Sequence, residues 1–572
     1  MGNEERMARM TSLMRRRGIV LPSFEIYGGV SGLVDYGPIG AKVKRRVIDL
    51  WIEHWTSVQN IVEIDSNALT PEAVLVASGH VGEFNDLMTG CGACGASFRS
   101  DHLLEEGYPN PDVLSGEEID NILRSQDIAC PGCGKSEWSP SVPMNLMFRT
   151  KIGAMKGNRD AYLRPETAQG IFMLFPVLLR HFRQKLPFGA LQTGRGYRNE
   201  ISPRQGMIRL REFNMAELEY FIDPENPPKV DLSDWADSVR LIPDPSSTDS
   251  NEIEIDFSGA LEKGIVKHPT VAWFLAMTND FLVKVGIDPR KIRYRQHEES
   301  EMAHYASDCW DCEIFGEHGW VEVVGIANRT CHDLLSHENH SGSKNLRAWR
   351  NFEISRNEER ERVFPISSVI GPKFKEKARE VSVAMSELIS IPEEIPFDIH
   401  LEDGTKVEIT ADMFVSEVVE ENITGEYFTP HVIEPSFGID RIIWHILDHA
   451  FTEIEKEDSE YTILSLEPSI APYDVVILPL FDKDGMDMMA KEINNNILRI
   501  RGVSSFIDTS RSIGRRYARA DEIGIPWAVT IDHSSLDDGT VTIRRRDDQV
   551  QIRASVENLL SKLSTGTIGE LF

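Results

Sequence analysis

The chain is 572 residues long, 41% hydrophobic and 27% charged, with a formal net charge of −30. That length calls for several domains, because single cores stop growing near roughly 250–300 residues, and no apolar run approaches the ~18 residues a bilayer-spanning helix needs, so no membrane partner is expected. So acidic a balance excludes a generic nucleic-acid coat, which needs Lys and Arg against phosphate, but leaves room for a local basic face.

From the N-terminus, MGNEERMARMTSLMRRRG lacks the apolar core of a secretory signal. Glu4 and Glu5 argue against a transit peptide, and Arg6 breaks the myristoylation pattern. A cytoplasmic location is the expectation. Within 32–58, Gly37-Pro38 and Gly40 open a helix. Val43, Val47, Leu50, Trp51, Trp55 and Val58 then recur at spacings of three and four, an amphipathic face. Cys91, Cys94, Cys130 and Cys133 form two CxxC knuckles with Gly or Pro inside each turn. Four thiolates so spaced are zinc-ribbon chemistry, and a structural Zn2+ is expected. Residues 129–136 nearly match a P-loop, but Ala129 stands where that motif wants Gly and no helix follows.

Residues 194–221, GRGYRNEISPRQGMIRLREFNMAELEYF, read as two strands joined by a long polar loop. One arm carries Arg198, Asn199 and Glu200; the other carries Arg209, Arg211, Glu212, Phe213 and Glu217. Arginine forks grip phosphate oxygens and an aromatic face stacks on a base, so the hairpin suits a nucleotide; taken alone, it equally suits a solvated hairpin. Residues 268–286 form a helical run, and GWVEVVGIANRT (319–330) an alternating strand. Cys309 and Cys312 read as buried thiols in a strand, and His332, His337 and His340 as part of a polar loop. In 434–447, EPSFGIDRIIWHIL, a loop with Gly438 runs into a helix bearing Arg441 near its start, a natural phosphate site. Beyond 470, short strands alternate with helices, one rich in arginine.

Taken in order, 32–58, 194–221 and 434–447 resemble motifs 1, 2 and 3 of class II aminoacyl-tRNA synthetases. FEIYGGVSGLVDYGPIG (24–40), RPETAQGIF (164–172), EPSFGIDR (434–441) and DTSRSIGRRYARADEIGIPWAVTID (508–532) narrow the likeness to the glycyl-tRNA synthetases of the archaeal and eukaryotic dimeric type. The resemblance covers nearly the whole chain. It implies an α+β fold: a class II core of antiparallel sheet flanked by helices, a zinc-ribbon-like insertion, and a C-terminal α/β anticodon-binding domain. Core pieces are expected at 1–90, 141–225, 319–365 and 431–465, a zinc-binding insertion at 91–140, further insertions at 226–318 and 366–430, and the anticodon-binding domain at 470–572. The extra N-terminal helical RNA-binding segment of many animal relatives is not expected.

The implied activity joins glycine to tRNA(Gly) through glycyl-adenylate, with ATP and Mg2+. By the same mapping Arg198, Glu200 and Arg441 are catalytic. ATP is held by Arg198, Asn199, Glu200, Ile208, Arg209, Leu210, Arg211, Glu212, Phe213, Glu322, Val323, Gly438, Ile439, Asp440 and Arg441, with Glu322 also a magnesium ligand. Glycine is held by Arg99, Glu166, Phe213, Glu217, Arg329, Glu434 and Ser436. Arg511, Arg515, Arg516 and Arg519 are expected to touch tRNA, and motif 1 to pair two subunits as a homodimer. Two rival readings share the scaffold: a non-catalytic nucleic-acid-binding protein, and a class II synthetase for another small amino acid. Retention of the arginines and glutamates speaks against the first, and the glutamate set against the second.

Overall fold

The computed structural model describes residues 3–572 apart from 105–106, 109–110, 112–113, 155–156, 202, 204–205, 245–251, 299–305, 389–390, 393, 402 and 457–458. It divides into two compact units, Met1–Leu346 with Pro430–Phe572, and Arg347–Thr429. The first unit is organised by a nine-stranded sheet. In chain order its strands are β1 (Ile61–Glu63), β2 (Phe188–Tyr197), β3 (Glu212–Ile222), β4 (Val239–Ile242), β5 (Ile253–Ile255), β6 (Ile292–Gln296), β7 (Asp308–Gly316), β8 (Gly319–Thr330) and β9 (His431–Gly438). Across the sheet they run β5-β4-β6-β7-β8-β9-β3-β2-β1, antiparallel except at β1–β2 and β4–β6.

Period-two alternation explains how this sheet builds both a core and a site. On β3, Ala216, Leu218, Tyr220 and Ile222 point into the main core. Helices covering that face include α1 (Pro38–Thr56), α3 (Pro269–Lys284) and Ile439–Ala450. Trp51 and Trp55 of α1 meet Phe437 of β9 at ring separations of 5.5 and 5.9 Å. Gly40 is required there, since a Cβ would sit 1.9 Å from the carbonyl oxygen of Ile19. On the opposite face of β3, Phe221 packs on Phe172 and Phe175 of α2 (Ala168–His181). The intervening positions on that face, Glu217 and Glu219, are carboxylates buried beneath α2.

Within the expected insertion at 226–318, β4, β5, β6 and β7 extend the central sheet. One expectation changes: the apolar stripe of α1 is not a free surface, because Val43, Val47, Trp51 and Trp55 are no more than 1% exposed within the chain's own core. The second unit begins at Arg347 because the long strands Ala348–Pro365 and Phe414–Phe428 pair with each other. Helices Ser367–Phe374 and Ala378–Ser386 and a short hairpin pack around Val363, Ile370, Val381 and Met413.

The C-terminal part has its own sheet: β10 (Val475–Pro479), β11 (Ser505–Ile507), β12 (Trp527–Ile531), β13 (Thr540–Arg545) and β14 (Gln551–Ser555), ordered β11-β10-β12-β13-β14. The β10 pairings with β11 and β12 are parallel and the rest antiparallel. Helices Met486–Ile497 and Val556–Thr565 cover one face and Ile513–Glu522 the other. Arg46 of α1 holds this domain to the core with a bidentate pair to Asp474, at 3.0 and 2.7 Å.

Candidate active site

A cleft opens at the start of β3 and β8 and the end of β9. It is lined by Arg198, Glu200, Ile208, Arg209, Leu210, Phe213, Glu322, Val323, Gly438, Asp440 and Arg441. The polar residues of the hairpin sit just past the paired strands: Tyr197 is the last residue of β2, Glu212 the first of β3, and Arg198 N–H donates to Arg211 O at 2.9 Å. Phe213 needs glycine as its cross-strand neighbour, because a Cβ on Gly196 would lie 2.6 Å from its ring. The Arg198 guanidinium lies 5.3 Å from the Phe213 ring centre and donates to Pro165 O at 3.3 Å. Arg441, in the helix Ile439–Ala450, donates to Ile208 O at 3.0 Å and to Glu322 O and Oε2 at 2.8 and 3.2 Å. Arg209 donates to the ring of His102 at 3.2 Å. Burial, then the charges of Arg99 and Arg209, push His102 down to about 4, so a neutral ring accepts that bond.

The structure does not bring every expected ATP residue to the cleft. Ile439 is fully buried in the core. Glu212 pairs with Arg195, away from the cleft. Arg211 is turned back onto Glu200 O and Ser31 O. Asn199 anchors the loop through its N–H on Leu146 O. Asp440 is 2% exposed and joins all three motif segments: it accepts from Tyr36 O–H, from Asn214 N–H at 2.6 Å and from Asn214 Nδ2 at 3.0 Å. Lys44 of α1 completes this joint through Asn214 Oδ1 at 3.1 Å.

Ser436 connects the cleft to a carboxylate pit on the same sheet face. Its hydroxyl donates to Glu217 Oε1 at 2.8 Å, and Thr167 N–H donates to Glu217 Oε2 at 2.6 Å. Arg329 donates to Glu434 Oε2 at 2.7 Å and forks onto Asp333 at 2.7 and 2.8 Å. Glu166 lies 3.3 Å from His80 and accepts from Gln169 at 3.0 Å. Gln169 is set in turn by His337, at 2.8 Å. Electrostatics separate the acids. Burial pushes Glu166 up, but His80 and Arg329 outweigh it and hold it below the carboxylate range. Burial and Glu166 raise Glu217, while burial, Glu217 and Glu166 push Glu434 up to about 7 against Arg329. Arg99 is not in this group: Asp86 and Asp101 hold it at 3.0 Å each, in the electrostatic neighbourhood of Glu200.

The four knuckle cysteines converge. Cys91 and Cys133 sulfurs are 3.6 Å apart, and Cys94 and Cys130 sulfurs 3.8 Å apart. A tetrahedron with metal–sulfur bonds of about 2.3 Å has edges of about 3.8 Å, so the set fits one thiolate-bound ion. Gly132 N–H points at Cys130 Sγ, 3.3 Å away.

On the arginine helix, Ile513–Glu522, the structure corrects the expectation for Arg516. Arg516 is 5% exposed and its guanidinium donates to the carbonyls of Pro479 at 2.6 Å and Arg511 at 3.1 Å. Arg519 is taken by Asp508 and Ser510, at 2.6 Å each. Only Arg511 and Arg515 of the expected four stay exposed. Two further readings change. His332, His337 and His340 lie on a helix, His332–Ser341, with His337 buried. Cys312 is a buried thiol, but Cys309 is half-buried and shares a cluster with His297 and Asp311. The site residues missed from sequence are His80, Thr167, Gln169, Glu219, Asp333 and His337. Three carried a spacing signal: Glu219 two residues after Glu217 on one strand face, Gln169 three after Glu166, and Asp333 four after Arg329.

Residues 148–240 match the tRNA synthetase class II core domain (G, H, P, S and T), and residues 474–565 the anticodon binding domain. Glycine–tRNA ligase of Methanothrix thermoacetophila is 44% identical, over 99% of this chain and 98% of its own. The glycine–tRNA ligases of Methanothermobacter thermautotrophicus and Methanocaldococcus jannaschii are each 44% identical, over 97% of this chain and 98% of their own. Among solved structures, Giardia lamblia prolyl-tRNA synthetase in complex with prolyl-adenylate superposes with a TM-score of 0.51 at 12% identity, covering 100% of this chain and 82% of that one, a likeness of fold. With full-length identity at this level, the chain belongs to the glycine–tRNA ligase family.

Proposed function

We propose that this chain is an ATP-dependent glycine–tRNA ligase, and that the cleft and the pit beside it are its two substrate sites. The observation that carries this is their junction at Ser436, which lines the cleft and bonds Glu217 of the pit. The glycine ammonium takes the pit, among Glu166, Glu217 and Glu434. The glycine carboxylate then points into the cleft, where Arg198 meets both it and the α-phosphate of ATP. Phe213 offers its face to adenine, and Arg209 and Arg441 grip the outer phosphates. Glu322, on the cleft wall beside Arg441, is the hard oxygen donor suited to Mg2+ with the phosphates; the ion supplies charge neutralisation there.

The chemistry needs positioning and charge stabilisation more than a general base, because a carboxylate is already nucleophilic. One carboxylate oxygen attacks the α-phosphorus, and the bond to the pyrophosphate oxygen breaks. A hydroxyl of the terminal tRNA ribose then attacks the glycyl carbonyl, and AMP leaves. Selectivity comes from exclusion: the pit is packed by charged groups and α2, so a larger side chain clashes, which avoids the weak discrimination of a roomy pocket.

The cysteine tetrad holds one structural Zn2+. Free thiols at that spacing suit a reducing compartment, which supports a cytoplasmic location. The homodimer reading now rests on another surface. Phe24, Ile26, Tyr27 and Val30 are 58, 90, 83 and 44% exposed in the segment before α1, an apolar patch fit for a second copy. Charging of tRNA(Gly) with labelled glycine tests the whole reading: the account expects ATP-dependent acid-stable label on tRNA, and none on it would overturn it.

A further inference from the structure

Glu219 lies on the face of β3 that carries Glu217, and the chemistry above does not use it. It is 0% exposed, and among the described residues no donor reaches either of its oxygens. In the β3–β9 ladder Glu217 lies across from Ser436 and Tyr220 across from Ile433, which sets Glu219 directly opposite Glu434. One carboxylate oxygen from each of Glu217, Glu219 and Glu434 lies within 4.8 Å of the others. Like charges directly opposed on an antiparallel pair repel, and two carboxylates this close in a dry site do not both ionise. Glu434 has Arg329 as a donor, and Glu217 has Thr167 and Ser436. Glu219 has no donor of its own and shares only the charge of Arg329, whose fork is taken by Glu434 and Asp333, so the proton belongs there.

We infer that Glu219 is a neutral carboxylic acid whose O–H donates to Glu434, making it a positioning residue that aims the Glu434 carboxylate at the substrate ammonium. This rests on the glycine reading of the pit. The groups facing Glu219 agree: burial, then Glu434 on β9 and Glu217 on β3, favour the protonated form, with Asp333 on the same side; Arg329 opposes. A neutral acid at this place keeps the pit anionic enough to draw an ammonium without a further uncompensated charge beneath α2.

Two variants and a spectrum test it, in the full-length protein. E219Q keeps a neutral donor of the same shape; E219A removes the donor. Glycine-dependent ATP–pyrophosphate exchange by the unaltered protein first checks the pit reading itself. Given that activity, E219Q should raise the KM for glycine about threefold, and E219A tenfold or more with a smaller change in kcat, the loss expected of a hydrogen bond to a charged group. At about pH 8, above the titration of Glu434, the infrared difference between wild type and E219Q should show a carboxylic-acid C=O band in the wild type alone. The inference is overturned if that band is absent, or if folded E219Q loses glycine affinity as severely as E219A. Should E219A not fold, the band still decides.

Discussion

Arg198 and Arg441 both line the cleft, each tethered by backbone carbonyl oxygen so that part of its fork remains for phosphate. Such preorganised donors are worth about 3 kcal/mol at a transition state, roughly a hundredfold in rate. R198A and R441A should each slow glycine-dependent pyrophosphate exchange by about that factor; near-normal rates in either would reassign its role. Glu434 adds a pH signature. Burial and its acidic neighbours hold its folded-state value near 7, above the ordinary carboxylate range, so below that it carries a proton and the pit loses one charge. Glycine affinity measured calorimetrically should therefore tighten as pH rises from about 5.5 to 8, and pH-independent binding would contradict the placement of Glu434 beside the ammonium. The same raised value makes the empty protein lose stability as pH rises from the ordinary carboxylate range to about 7. The three pocket glutamates were legible only through resemblance, since each alone reads as a surface carboxylate. Glu219 was within reach of strand periodicity but not of motif comparison. Gln169 and Asp333 stood at helical spacing from Glu166 and Arg329, but His337 acts through Gln169 from a distant helix, and no local pattern announces such a role.

At the scale of elements, the motif hairpin, the α1 helix, the alternating β8 strand and the arginine helix were all readable from periodicity and punctuation. What was not readable is where each face points. Apolar spacing places Val43, Val47, Trp51 and Trp55 on one side of a helix but cannot distinguish own core from partner. Arginine density likewise cannot show that Arg516 is consumed by backbone carbonyls and Arg519 by Asp508. R516A should therefore lower the melting temperature, since it strands buried carbonyls. R511A and R515A should leave stability alone, weaken tRNA binding and reduce its salt slope by about one each. An unchanged salt slope in the R511A/R515A double variant would return those residues to the solvated surface. The cysteine knuckles were legible because metal chemistry demands local spacing. Metal analysis should find about one zinc per chain, and C91S should lose it and soften the fold before adenylate chemistry suffers; a metal-free, fully stable protein would contradict the site.

At the scale of the molecule, the first unit is held together by joints that no linear reading exposes. Asp440 ties motif 1 to motifs 2 and 3, and the Arg46–Asp474 pair ties the C-terminal domain to the core. The segment 226–318 belongs to the central sheet because strand pairing across long sequence separations, unlike helix periodicity, leaves little local trace. The exposed Phe24–Val30 patch predicts a dimer of twice 64.6 kDa in light scattering, and I26D should release monomer; a fully active monomeric wild type would contradict it. The central claim is that the pit admits glycine and the cleft activates it. Pyrophosphate exchange with ATP, run against each of the amino acids in turn, tests this most directly. The account predicts exchange with glycine alone; exchange with alanine or serine and none with glycine would contradict it.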